Sequence, residues 1–260
     1  MIALKMRPFF LPAVLGIALG AAFFVPSQTA CAADAPSDAA APAAILPVPS
    51  QPTESIVVSG GPAIRFFEHG KKSSHDVFWG NFIVSATFRL KELEQQKAPG
   101  DLVTWLVYRP GYERRSMEID ADLLSAIQQK ADALGVALFW FNNKQELINY
   151  LNTGRDRKTM PIADFEYFGH SNKACFMFDY SNNFDAMTKD FLHAMDLEHI
   201  EPSDFAKGAT AKSWGCHSGE YYTAQWKRHF GWPMVGAIGK TDYSHGELPF
   251  LSSPGGSWAE

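Results

Sequence analysis

Residues 102–108 read LVTWLVY, and this run decides the fold. It is continuously apolar apart from one threonine, as expected of a strand buried on both faces of a parallel sheet. Working outward, the flanking segments have a different period. On the N-terminal side, Phe82, Ile83, Ala86, Leu90 and Leu93 fall on one face of a helix that KAPGD ends at residues 97–101. On the C-terminal side, Ile119, Leu123, Leu124, Ile127, Ala131 and Leu134 predict an amphipathic helix. Asp120 and Asp122 lie in its first turn, and Gly135 stops it.

The alternation continues along the chain. VALFWF (136–141) predicts a second buried strand and KQELINYL (144–151) a short helix closed by Gly154. ADFEYF (163–168) is a third strand, and Phe184, Met187, Phe191, Leu192 and Met195 mark another helix. ATAKSW (209–214) predicts a weaker strand, GEYYTAQWKRHF (219–230) a helix, and PMVGAI (233–238) a last core strand. Strand and helix in alternation imply an α/β domain: a mostly parallel sheet with helices on both faces. Sites in such sheets form at the carboxyl ends of strands, where loops enter helices. FGHSN (168–172) follows the third strand and GCHSG (215–219) the fourth.

The N-terminus reads as a targeting segment. Lys5 and Arg7 precede an apolar run from Phe9 to Val25, and Ala30-Cys31-Ala32 is an A-x-A cleavage pattern, so residues 1–32 are expected to be a signal peptide. A run of 17 residues is borderline for a membrane anchor, and Pro12 and the small-residue exit favour cleavage. A lipidated Cys31 would want an aliphatic residue three positions earlier, where Gln28 stands. The mature chain is thus expected to be periplasmic or secreted, with no stable membrane insertion. Residues 33–62, with six prolines and no apolar period, predict a semi-extended linker before a single α/β domain over 63–260. Cleavage would leave 21 basic against 28 acidic side chains, a formal charge of −7. No basic tract remains to neutralise a run of phosphates, which argues against nucleic acid as a partner.

Cys216 is the residue with the most chemistry open to it. A thiol where a strand turns into a helix near Ser218 would meet unpaired N–H groups and the positive end of the dipole, both favouring thiolate. Gly215 and Gly219 would let backbone approach a substrate closely, with an N–H of this turn facing a developing oxyanion. His170, at the end of a strand that could lie alongside, supplies a base. In an oxidising compartment the same cysteine could instead form a disulfide with Cys175, and spacing does not choose between the two.

Cys216-His217-Ser218-Gly219 resembles the nucleophile motif of metacaspases, and EYFGHS (166–171) resembles the strand and loop that carry their histidine. A strand ending in His followed by one ending in Cys is similar to the pattern of caspase-like cysteine peptidases, gingipains included, over about residues 80–245. The resemblance implies a caspase-like three-layer sandwich, Cys216 as nucleophile, and His170 as general base and acid. It also implies backbone donors around Ser171, Gly215 and Cys216 for the oxyanion, a peptide or protein substrate, and no metal or organic cofactor. Two departures stand out. Ser171 follows the histidine where the family has glycine, and Trp214 takes the place of an acid that selects basic P1 side chains. Trp214 and Asp242 are therefore the candidate lining of the substrate pocket, although Asp242, in GKTDYSHG (239–246), also suits a turn.

Other readings compete. GHSNK (169–173) is close to a serine nucleophile elbow, with Asp204 and His245 as conceivable partners, but Lys173 replaces its final glycine. A non-catalytic exported binding domain, with Cys175 and Cys216 oxidised, is the alternative from another class. His217 is expected to be solvated and Cys175 to be core. His193 and His199 are wrongly spaced to share a metal on one helical face. Gly60-Gly61 and Gly255-Gly256 are expected in flexible ends, and the aromatic residues in the core.

Overall fold

The computed structural model describes residues 51–63, 69–70, 77–180 and 189–260. The expected signal peptide and residues 33–50 of the expected linker lie outside the described residues.

The chain enters through β1 (Glu54–Ser59), followed by α1 (Asn81–Gln96), β2 (Leu102–Tyr108), α2 (Arg109–Ile119) and α3 (Leu123–Leu134). Next come β3 (Ala137–Phe141), α4 (Lys144–Thr153) and β4 (Ile162–Phe168). Short strands β5 (His170–Ser171), β6 (Cys175–Met177) and β7 (Phe191–His193) precede β8 (Phe205–Ser213). After α5 (Tyr222–Phe230) the chain closes with β9 (Gly236–Ile238), β10 (Thr241–Asp242), β11 (Phe250–Leu251) and β12 (Ser257–Ala259).

Five strands form one sheet in the order β3-β2-β1-β4-β8, every pair parallel. Side chains alternate across it. Val57, Val103, Trp105 and Val107 face α1 and α3, where Phe82, Ile83, Leu90 and Ile127 are buried. Ile56, Val58, Leu106 and Phe165 face α4 and α5, against Leu147, Leu151, Trp226 and Phe230. Helices on both faces of a parallel sheet make the molecule the α/β sandwich its periodicity predicts.

Four local expectations need correction. The linker expected to reach residue 62 contains β1, the central strand, whose Ile56, Val57 and Val58 are wholly buried. Prolines at 47, 49, 52 and 62 surround these six residues and dominate the local composition. The helix expected from Ile119 begins at Leu123, because Asp120 takes a left-handed conformation (φ 51°) that ends α2, and Asp122 then caps α3 by accepting from the Ser125 N–H at 3.0 Å. β3 is not buried on both faces: it is an edge strand, partly exposed except at Phe141. Residues 191–195 are not helical. Phe191–His193 pairs with β6 in a three-stranded antiparallel sheet, and a 3-10 turn follows over Ala194–His199. Phe184 and Met187 of that expected helix lie outside the described residues.

The last predicted core strand is also displaced. β9 pairs antiparallel with β12 in a separate two-stranded sheet, and only Val235 bridges to Lys212 of β8.

Candidate functional site

β4 and β8 are parallel neighbours, and Tyr167 stands opposite Ser213 at the end of their ladder. His170 and Cys216 each lie three residues beyond that pair. Equal register therefore brings the two loops out at the same carboxyl end of the sheet, where sites of such sheets form.

The two loops interlock there. The Ser171 hydroxyl donates to the Cys216 carbonyl oxygen at 2.6 Å. A Cβ on Gly215 would collide with the Ser171 hydroxyl and meet the Gly169 carbonyl at 3.0 Å. Glycine at 215 thus serves the approach of one loop to the other. Gly219 acts similarly, since a Cβ there would lie 2.7 Å from the Gly236 carbonyl on β9. The expectation that these glycines open the backbone to a substrate is corrected: they press protein against protein.

His170 is 5% exposed. Its ring packs edge-on against Phe82, with centroids 4.8 Å apart, and against Tyr180 at 4.7 Å. Tyr167 donates its hydroxyl to the His170 carbonyl at 2.7 Å, and Tyr243 accepts from the Gly169 N–H at 3.3 Å. Both tyrosines are fully buried, and desolvation holds their hydroxyls protonated well above the usual range. They fix the histidine loop from two sides. The close passage of Gly60 and Gly61 completes this end of the sheet. Gly60 bonds through its N–H to Phe168, Gly61 through its N–H to Phe178, and a Cβ on either would crowd Tyr167 or the Phe178 carbonyl. Neither sits in a flexible end.

Cys216 is 9% exposed and Cys175 5%, and both are free thiols, so the disulfide is not formed. Burial pushes the Cys175 thiol up to about 11, with Asn172 Oδ1 at 3.5 Å. The Cys216 sulfur accepts from the Thr241 N–H at 3.4 Å and lies 3.5 Å from the Thr241 hydroxyl. Its expected helix starts later than Ser218: Ser218–Glu220 is a three-residue 3-10 turn, and α5 begins at Tyr222. A dipole falls off within its first turn and does not reach the sulfur with force. Ser218 instead closes the turn, donating to the Gly215 carbonyl at 3.0 Å.

His217 adopts a left-handed conformation (φ 60°), rare for a side-chain-bearing residue. Its N–H donates to the Gly239 carbonyl at 2.7 Å, and its Nδ1 lies 2.5 Å from Glu220 Oε1. That contact holds the Glu220 carboxyl below its ordinary range. The ring supports the turn from its half-exposed outer side.

The remaining candidates are placed as follows. Gly215 donates its N–H to Ser213 Oγ at 3.3 Å, so that group serves the turn and not an oxyanion. Trp214 is buried, stacks on Phe168 and donates Nε1 to Glu166 Oε2 at 2.7 Å, which makes it core and not a pocket wall. Asp242 is 8% exposed and caps the Ser244 N–H at 2.8 Å, the turn role its sequence allows. Ser171 lies in a strand pair, and its φ is not positive, so it is not a nucleophile elbow. Asp204 precedes β8 at the opposite end of the sheet, and His245 stacks on Phe250. Among the described residues no three His, Cys, Asp or Glu side chains gather to hold a metal ion.

Sequence reasoning missed Thr241, Tyr180 and Tyr243. Thr241 lies 25 residues beyond Cys216, Tyr243 follows it two residues on, and Tyr180 lies ten beyond His170, so no local spacing marks them.

Comparison with protein-family models, with curated proteins and with solved structures gives no match.

Proposed function

We propose that the protein is an exported cysteine hydrolase, a peptidase of caspase-like type, acting through His170 and Cys216. The observation that carries this reading is the equal register of the two residues beyond Tyr167 and Ser213, on loops locked together by the Ser171–Cys216 hydrogen bond. A free thiol and an imidazole issuing side by side from adjacent parallel strands are the parts acyl transfer needs.

In this reading the Cys216 sulfur attacks a peptide carbonyl carbon, His170 taking the thiol proton. The carbon–nitrogen bond then breaks and His170 gives that proton to the departing amine. Water, deprotonated by His170, cleaves the thioester and returns the thiol. The chemistry draws on no cofactor. The departures at Ser171 and Trp214 carry no preference for a basic P1 residue.

The test is iodoacetamide alkylation of Cys216, followed by peptide mass spectrometry in the mature wild type and in His170→Ala, with a peptide-library cleavage screen alongside. Fast labelling that slows in the variant, with cleavage abolished by Cys216→Ala, is the expected result. Equal labelling of both proteins and no cleavage would leave a non-catalytic peptide-binding domain as the reading.

A further inference from the structure

We infer that Thr241 is the positioning residue that holds Cys216 as a thiolate; this rests on the cysteine-hydrolase reading above. A buried thiol in an apolar setting is driven towards its neutral form, so a reactive one needs donors aimed at the sulfur. The helix that would ordinarily be credited starts too far along the chain. Thr241 stands in its place. Its backbone N–H donates to Sγ at 3.4 Å, and its hydroxyl oxygen lies 3.5 Å from the same atom. Both are within the range of hydrogen bonds to sulfur. The Thr241 carbonyl, which accepts from the thiol and so favours the neutral form, is farther away at 3.8 Å. The N–H can only donate to the sulfur, and the hydroxyl, which can take either role beside a thiol, can only donate once the thiol has ionised.

The donors are also fixed in advance. Thr241 is 2% exposed and lies in β10, which pairs with β11. On either side of it, Lys240 bonds to Ser253 Oγ through its N–H at 2.9 Å and Asp242 caps Ser244. A rigid two-strand unit therefore carries the hydroxyl to the sulfur, with little ordering left to do when the thiol ionises. Titratable side chains on the turn of Cys216 and the segment of Thr241 are His217, Glu220, Lys240, Asp242 and Tyr243, with His170 on the neighbouring loop. Of these, Glu220 and Asp242 oppose the thiolate by their charge and Lys240 favours it, and the Thr241 donors work against the carboxylates.

The experiment is the pH profile of Cys216 alkylation in the full mature chain, compared among wild type, Thr241→Val, Thr241→Ser and His170→Ala. Valine keeps the shape and the backbone N–H but removes the hydroxyl. Its inflection should move up by about one pH unit, roughly a tenfold loss of thiolate near neutrality. Serine restores the hydroxyl and should return the inflection to the wild-type value. A valine profile that superimposes on wild type, or a serine profile displaced as far as valine's, would overturn the inference, the latter by showing a packing effect. If Thr241→Val does not fold, Thr241→Ala removes the same hydroxyl and is read against the same outcomes. Failure of the dyad has a different signature: the His170→Ala profile matches wild type while Thr241→Val still shifts.

Discussion

Ser171 and Gly215 carry the closest contact at the site, and each can be tested singly. Ser171→Ala removes the donor to a buried carbonyl, at a cost of about 1–3 kcal/mol. Urea denaturation measures the loss. Gly215→Ala should cost more than Ser171→Ala, because its Cβ meets both the Ser171 hydroxyl and the Gly169 backbone. The double variant Ser171→Gly, Gly215→Ala should recover part of that loss by clearing the hydroxyl. Cys175 gives a pH prediction with a simple sign. With its thiol pushed up to about 11, it stays protonated at neutral pH and should label in the native state only as the pH approaches that value. Labelling of Cys175 as fast as Cys216 at pH 7 would contradict the proton that burial holds on the Cys175 thiol.

At the scale of elements, Asp190 on the approach to β7 has a pH consequence. Burial first, with Asp179 adding to it, raises its carboxyl to about 6. Since the folded value exceeds the unfolded one, the folded state binds the extra proton. Its contribution to stability is complete below about pH 4 and is lost as the pH rises through 6. Asp190→Asn should therefore gain stability relative to wild type at pH 7 and not at pH 4, as urea midpoints at the two values would show. Asp122→Ala, which uncaps α3, should lower the urea midpoint. Sequence pattern found α1, β2, α4 and β4 with little error, because the helices carry a regular apolar stripe and the two strands are apolar-rich runs of seven residues. It failed at β7, where Phe191, Leu192 and Met195 also fit a helical stripe, and pairing with β6 outweighed that local preference. It failed again at β1, whose apolar run is only Ile56 to Val58 and is set among prolines.

The whole molecule rests on that hidden strand. Glu54 opens β1 at zero exposure and is held by Arg157 at 2.5 Å, by the Thr104 hydroxyl and by the Tyr150 hydroxyl at 2.8 Å. A charge buried this fully at the start of the central strand ties α4 and the loop after it to the sheet. Arg157→Met should destabilise the fold by about 3–5 kcal/mol by removing the closest cation from the buried carboxylate and leaving it only Arg155 at 3.7 Å, while Arg157→Met with Glu54→Gln should recover much of it. Thermal unfolding of the two variants separates lost pairing from lost packing.

The sequence by itself determined the layered architecture, since alternating periods of about two and 3.6 admit few other arrangements. It also placed the His and Cys loops directly after two predicted strands. Only the tertiary structure decided that β4 and β8 are neighbours in equal register, which is a property of strand order and not of spacing along the chain. Only it showed Gly215 and Ser171 spent on each other, and Trp214 turned into the core. Only it brought Thr241 to the sulfur from 25 residues away, because a hydrogen bond over that distance in sequence exists only once β10 has folded back on the turn after β8.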